Sequence, residues 1–193
     1  MATADLGPDV PVTATRPRPA AVLVPLFEES GLARVVLTRR AAGLASHHGE
    51  VAFPGGLVGP GENELGAALR EAEEEVGLDP AAVSVVGRLP RVATPTTGFL
   101  LTPFVGLLAE RPALEPRPEE VELVFDVSLA HFLDPEIYRE ERWDRPVADR
   151  PVYFFELEDD TVWGVTARIL HRLLCLVTGT SPAGSLGTEG SPG

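Results

Sequence analysis

The chain has 193 residues, 44% of them hydrophobic, which is enough for one domain with a proper core and short for two. Its sixteen basic residues are all arginine and stand against twenty-nine Asp and Glu, a net charge of −13, so the overall field repels phosphate backbones and argues against nucleic acid as a partner. The single cysteine, Cys175, excludes an intramolecular disulfide and a cysteine-built metal site.

Taken in order, residues 1 to 18 are rich in Pro, Thr and Ala and are expected to be disordered, because they offer too little apolar surface to offset the entropy of ordering. They contain no apolar run that could form a signal-peptide core, and no later span is long and apolar enough for a membrane. The expected location is cytoplasmic, with no membrane partner. Six β-branched or apolar runs bounded by turn residues predict strands at Ala20 to Leu26, Arg34 to Arg39, Val83 to Leu89, Phe99 to Leu108, Val121 to Val127 and Val152 to Leu157.

Two helices are predicted. In the first, Leu65, Ala68, Leu69, Ala72 and Val76 recur at three- and four-residue intervals, Asn63 is the candidate N-cap, and Gly77 followed by Pro80 ends the pattern. The second, Val165 to Val177, carries Ile169, Leu173, Cys175 and Leu176 as its expected packing residues, with Trp163 just before it. The tail from residue 178 is Gly, Ser and Pro rich and is expected to be disordered. No internal repeat is found, and strands and helices do not alternate strictly. The prediction is one α/β domain over residues 19–177 with a mixed sheet.

The first helix carries an unusual charge pattern. At about 100° per residue, Glu71, Glu74 and Glu75 share one flank, Glu73 points away, and Glu75 lies nearest the apolar stripe. Solvated like charges at this spacing cost only a few tenths of a kcal/mol, but at about 5 to 6 Å and an effective dielectric near 20 each pair costs about 3 kcal/mol. A cluster at the edge of a core therefore needs a counterion, and a divalent cation that prefers oxygen ligands supplies one. Taken alone, the cluster reads better as a solvated acidic face in which Arg70 pairs with Glu74. Upstream, Phe53-Pro54-Gly55-Gly56 sets a fixed proline dihedral before two glycines whose bare backbone can approach a ligand closely.

Together these segments form a signature. Gly56, then Glu62 after five residues, then Arg70-Glu71-Ala72-Glu73-Glu74-Glu75-Val76-Gly77-Leu78 after seven more, resembles the box of the Nudix hydrolases at every defined position. The resemblance implies an α/β/α sandwich that hydrolyses nucleoside diphosphates linked to another group, with Mg²⁺ or Mn²⁺. It makes Glu71 and Glu75 the principal metal ligands, with Glu74 as a third ligand or as the base acting on the attacking water. The Gly55 carbonyl is a further candidate ligand, Arg70 the residue that orients the carboxylates, and Glu62 the brace of the loop.

A narrower resemblance spans Ala20 to Val177. Leu37-Thr38-Arg39-Arg40-Ala41, Gly49 and Phe53-Pro54-Gly55-Gly56 are similar to the extra motif of coenzyme A diphosphatases, as are Thr102 to Gly106, Glu120 to Val127 and Val162 to Leu170. This implies cleavage of coenzyme A to adenosine 3′,5′-bisphosphate and 4′-phosphopantetheine. Ala45 departs from the basic residue usual in that motif, which keeps ADP-ribose or a dinucleotide open as the substrate. Arg39 and Arg40 are candidate phosphate ligands along with Gly55 and Gly56, and because strand neighbours face opposite sides, one arginine of the pair is expected to reach the site. Downstream, Glu120 is a candidate metal ligand or general base, with Glu119 and Glu122 as competitors. The adjacent His47 and His48 are expected to be solvated. A catalytically silent nucleotide-sensing module would be expected to lack metal carboxylates, all of which are present. The oligomeric state is left open, a homodimer included.

Overall fold

The computed structural model describes residues 4–5, 17–42, 49–94, 98–143 and 150–179. The elements in chain order are β1 (Ala4–Asp5), β2 (Arg18–Glu29), β3 (Leu32–Arg40), β4 (Val51–Ala52), β5 (Gly55–Leu57), α1 (Glu64–Val76), β6 (Ser84–Arg88), β7 (Val92–Ala93) and β8 (Phe99–Leu107). They continue with β9 (Val121–Ser128), β10 (Tyr138–Trp143), β11 (Arg150–Glu156), β12 (Thr161–Trp163) and α2 (Gly164–Thr178).

β2 is the axis of a mixed sheet. It runs parallel to β8 from Arg18 to Leu26 and antiparallel to β3 at its far end, where Ser30 and Gly31, both at positive φ, close a two-residue hairpin turn. At its near end the same edge of β2 pairs instead with β5, Val22 opposite Gly55 and Ala21 opposite Gly56. The edge is thus shared between two partners, and the backbone of Pro54 to Gly56 enters between them, with the Pro54 carbonyl accepting from Leu23 N–H. β9 and β4 pair with β3, while β6 and β7 pair with β8. The strands β10, β11 and β12 form a separate antiparallel sheet.

Alternation along β2 and β3 divides the core in two. Val22, Val24, Leu26, Val35 and Leu37 meet α2 through Ile169, Leu170, Leu173 and Leu174, together with Phe132 and Phe155. Ala21, Leu23, Phe27 and Val36 face the other way and meet Ala67, Ala68, Ala72 and Val76 of α1. The layers are therefore helix, sheet, helix, as expected.

All six predicted strands are present, and two details of the helices differ from expectation. The buried stripe of α1 includes Ala67, and Leu65 and Leu69 are only partly covered. On α2 the buried residue is Leu174, while Leu176 is 48% exposed and Cys175 is half-buried, because the helix presents Ile169, Leu170, Leu173 and Leu174 to the sheet. Most of residues 1–18 and 178–193 lies outside the described residues, as do Ala45, His47 and His48. Within the first of those stretches Ala4–Asp5 pairs in parallel with Gly87 and Arg88 of β6. Among the described residues no helix is long and apolar enough to cross a membrane.

Candidate active site

α1 starts where the Asn63 side chain accepts from Gly66 N–H at 2.7 Å, and it ends at Gly77, whose left-handed φ of 69° sends its N–H back to the Glu73 carbonyl. Between these caps, small residues on the buried side let the helix lie close to β2 and β5. The closeness is measurable at the two glycines. A Cβ on Gly55 would stand 2.3 Å from the Ala21 carbonyl oxygen, and one on Gly56 would stand 2.6 Å from the carboxyl carbon of Glu71. Glycine at 56 thus leaves the space that the Glu71 carboxylate occupies.

Arg70 gathers the acids on the outer side of this junction. It donates to Glu62 at 3.0 and 3.2 Å, to Glu74 at 2.8 Å and to the Leu57 carbonyl at 3.3 Å, and it lies 2.9 Å from a Glu71 oxygen. Glu62 also accepts from Gly59 N–H at 3.0 Å, which ties the loop before α1 to the helix. The Arg70 hydrogen bond, helped by Gly59 N–H, holds the Glu62 carboxyl below its ordinary range.

Glu75 is different in kind. It is 4% exposed, its Oε2 accepts from Gly55 N–H at 3.0 Å, and its Oε1 lies 3.9 Å from Arg40. Burial pushes its carboxyl up to about 7, opposed by Gly55 N–H and Arg40 and reinforced by the charges of Glu71 and Glu120. The structure therefore brings Glu71, Glu75, Gly55, Gly56, Arg70 and Arg40 together, with Glu74 on the exposed rim and Glu120 close enough for its charge to be felt. Arg39 is not part of this group. It faces the α2 side and donates to Asp160 at 3.1 Å and Glu122 at 3.4 Å, which also commits Glu122 there. A register shift between Arg39 and Arg40 in the β3–β9 pairing marks the point where the two arginines diverge.

Among the described residues no three His, Cys, Asp or Glu side chains already share a ligand arrangement. Arg70 holds Glu71 and Glu74, and Gly55 holds Glu75. The donor set nevertheless suits a hard divalent cation, since it offers carboxylate oxygens and no nitrogen or sulfur. Glu75 in particular is a buried carboxylate with a raised pKa that a cation would stabilise in its charged form. Glu71 and Glu75, with Glu74, are the residues that would hold such an ion. A site of this kind, acidic groups packed on a glycine backbone with Arg40 and Arg70 alongside, is suited to metal-assisted hydrolysis of a phosphate anhydride.

Comparison with known proteins agrees. Residues 17–153 match the model of the NUDIX domain. The chain is 42% identical over 176 residues to Nudix hydrolase 22, chloroplastic, of Arabidopsis thaliana, covering 87% of this chain but only 58% of that protein. It is 41% identical over 180 residues to the uncharacterized Nudix hydrolase NudL of Cronobacter sakazakii, covering 92% and 91% of the two chains. The crystal structure of RenU, a Nudix hydrolase from M. Smegmatis, superposes with a TM-score of 0.51 at 25% identity, over 59% of this chain and 72% of that one. The chain belongs to the Nudix hydrolase family, a family of pyrophosphohydrolases that generally use divalent metal ions.

Proposed function

We propose that the protein hydrolyses the diphosphate linkage of coenzyme A or its derivatives with Mg²⁺ or Mn²⁺, releasing adenosine 3′,5′-bisphosphate and 4′-phosphopantetheine in the cytoplasm. The observation that carries the catalytic part is the seating of Glu71 and Glu75 against the Gly55-Gly56 backbone, within reach of Arg40. The coenzyme A part rests on the Leu37 to Ala41 and Phe53 to Gly56 motif, which supplies Arg40 and both glycines.

In this reading Glu71 and Glu75 hold the ion, and Glu74 or Glu120 takes the proton from the attacking water. The ion, when bound, polarises the diphosphate and makes water more acidic. Arg40 grips a substrate phosphate. Its Nη1 lies 3.9 Å from Glu75 Oε1, beyond hydrogen-bond distance, so a phosphate oxygen can take that donor. Arg70 keeps Glu71 and Glu74 aimed at the site.

Ala45 supports a second reading, hydrolysis of ADP-ribose or a dinucleotide by the same machinery. Product identification with coenzyme A in ¹⁸O-labelled water, beside a panel with ADP-ribose and diadenosine compounds, separates the two. Labelled adenosine bisphosphate or phosphopantetheine at the higher kcat/KM is expected. Faster turnover of ADP-ribose removes the coenzyme A assignment and leaves the metal site intact.

A further inference from the structure

The segment between β8 and β9 carries no motif before Glu120, yet it is bonded to both sides of the site. The last carbonyls of a helix lack partners within it. In α1 two of them are taken from outside, Val76 by Glu115 N–H at 3.0 Å and Glu75 by Arg117 N–H at 2.8 Å. The chain then turns, with the Arg117 carbonyl accepting from Glu120 N–H at 3.0 Å and Val121 N–H at 2.8 Å, and Pro118 fixing φ at the second position of that turn. On its far side the Glu120 carbonyl accepts from Ala41 N–H at 3.0 Å, next to Arg40.

These bonds close a ring. It runs from the Glu75 carbonyl through Arg117, the turn and Glu120 to Ala41 and Arg40, and from the Arg40 guanidinium back to the Glu75 carboxylate at 3.9 Å. Glu75 is thereby held at both ends, its carbonyl by Arg117 and its carboxylate by Gly55. We propose that the Arg117–Glu120 turn is the positioning element of the site. Through Arg117 N–H and the Glu120 carbonyl it sets the separation of Glu75 and Arg40, and it carries the Glu120 side chain to the same place. The effect passes through backbone groups, so Arg117 is a positioning residue whose exposed guanidinium is dispensable to the bond. The inference rests on the proposed roles of Glu75 and Arg40 in diphosphate hydrolysis.

The test compares two equivalent lesions one bond apart. Arg117→Pro deletes the N–H that holds Glu75, and Glu115→Pro deletes the N–H that holds Val76. Far-UV circular dichroism, Tm, kcat, KM and the affinity for Mn²⁺ without substrate are measured on the full chain. Arg117→Pro is expected to lower kcat about tenfold and to weaken Mn²⁺ binding severalfold, the scale seen when a group that orients metal ligands is lost. Glu115→Pro is expected to lower Tm comparably while leaving kcat and Mn²⁺ affinity within about twofold of wild type on the same scale. Equal effects of the two prolines on kcat and Mn²⁺ affinity would reduce the turn to a structural clamp and overturn the proposal. If Arg117→Pro does not fold, Pro118→Gly, which loosens the turn but deletes no donor, takes its place. Wild-type kcat and Mn²⁺ affinity in that variant would likewise overturn it. Mn²⁺ affinity is read without substrate, so a wild-type protein inactive on every diphosphate would defeat the functional reading while leaving this comparison decisive.

Discussion

The two faces of the central sheet are built from alternate residues of the same strands, yet they solve opposite problems. Toward α2 the side chains are large, with Phe132 and Phe155 meeting edge to face at 5.4 Å among Leu37, Ile169, Leu170 and Leu173. Toward α1 the contact between helix and strands is made by small residues, Ala67, Ala68 and Ala72 against Ala21 and the bare backbone of Gly55 and Gly56, with Leu23, Phe27 and Phe104 filling the rest of that cluster. Large side chains fill volume and supply stability, while small ones bring a helix close enough to seat carboxylates on main-chain atoms. The buried Glu75, along with the buried Thr38 and Thr102, lies on the small-residue side. One face is therefore expected to govern chemistry and the other stability, and substitutions should separate the two.

The largest effect is expected at Glu75. Glu75→Gln keeps the shape and an acceptor for Gly55 N–H but removes the charge. Turnover should fall by roughly 100-fold or more, the scale of losing several kcal/mol of charge stabilisation. Normal turnover by a purified, metal-saturated variant would refute the site.

The same variant makes a pH prediction for metal-free protein. The folded Glu75 holds its proton up to about pH 7, whereas the unfolded chain releases it near 4.5. Its contribution to stability is thus fully present below pH 4.5, declines as pH rises, and is lost above about pH 7. Gln has no such dependence. Relative to wild type, Glu75→Gln should gain stability between those limits, on the order of 3 kcal/mol, and added Mn²⁺ should shrink the gap by stabilising the wild type. Urea melts at pH 4.5 and pH 8 check this, and a constant difference would contradict the burial of an ionisable Glu75.

On the opposite face, Phe155→Ala should cost about 3–5 kcal/mol of stability. Its folded fraction should keep kcat near wild type, and a matching loss of kcat at low temperature would show that the two faces are not independent.

Much of this division is legible in the sequence, and the parts that are not share a cause. The alternation of apolar residues along β2 and β3, the Asn63 and Gly77 caps, and the angular position of Glu75 follow from periodicities that side chains display. β10 escapes because Tyr-Arg-Glu-Glu-Arg-Trp reads as polar loop, although charged residues are what an edge strand uses against unwanted pairing. β4, β5 and β7 have two or three residues each, too few to show a period. The clamp on the end of α1 is made wholly of main-chain donors and acceptors, which any residue but proline could supply. What the sequence reveals is side-chain chemistry, and what it conceals is backbone pairing between distant segments.

The glycine pair sharpens the comparison within the α1 face. Gly56→Ala directs its methyl at the tip of the flexible Glu71 side chain, which can move aside at little cost to the fold. Activity should drop about tenfold, as when metal ligands lose their orientation, with Tm nearly unchanged. Gly55→Ala meets the Ala21 backbone, which cannot yield, so stability should fall by roughly 1–3 kcal/mol as in an overpacked core. Differential scanning fluorimetry with steady-state kinetics distinguishes them, and the same phenotype for both would mean that Glu71 does not depend on the space at Gly56.

The smallest effects are expected where one strand sends two identical side chains to opposite faces. Arg40 approaches Glu75 at 3.9 Å, whereas Arg39 is hydrogen-bonded to Asp160 and Glu122. Arg40→Ala should raise KM by about tenfold, the worth of one charged hydrogen bond to a phosphate, with little change in Tm. Arg39→Ala should leave kcat and KM within twofold and cost at most about 1 kcal/mol, because the pairs it loses are partly exposed. If the Arg39 variant lost substrate affinity and the Arg40 variant did not, the diphosphate would have to lie on the α2 side of the sheet, and the carboxylates of α1 would be on the wrong face to attack it.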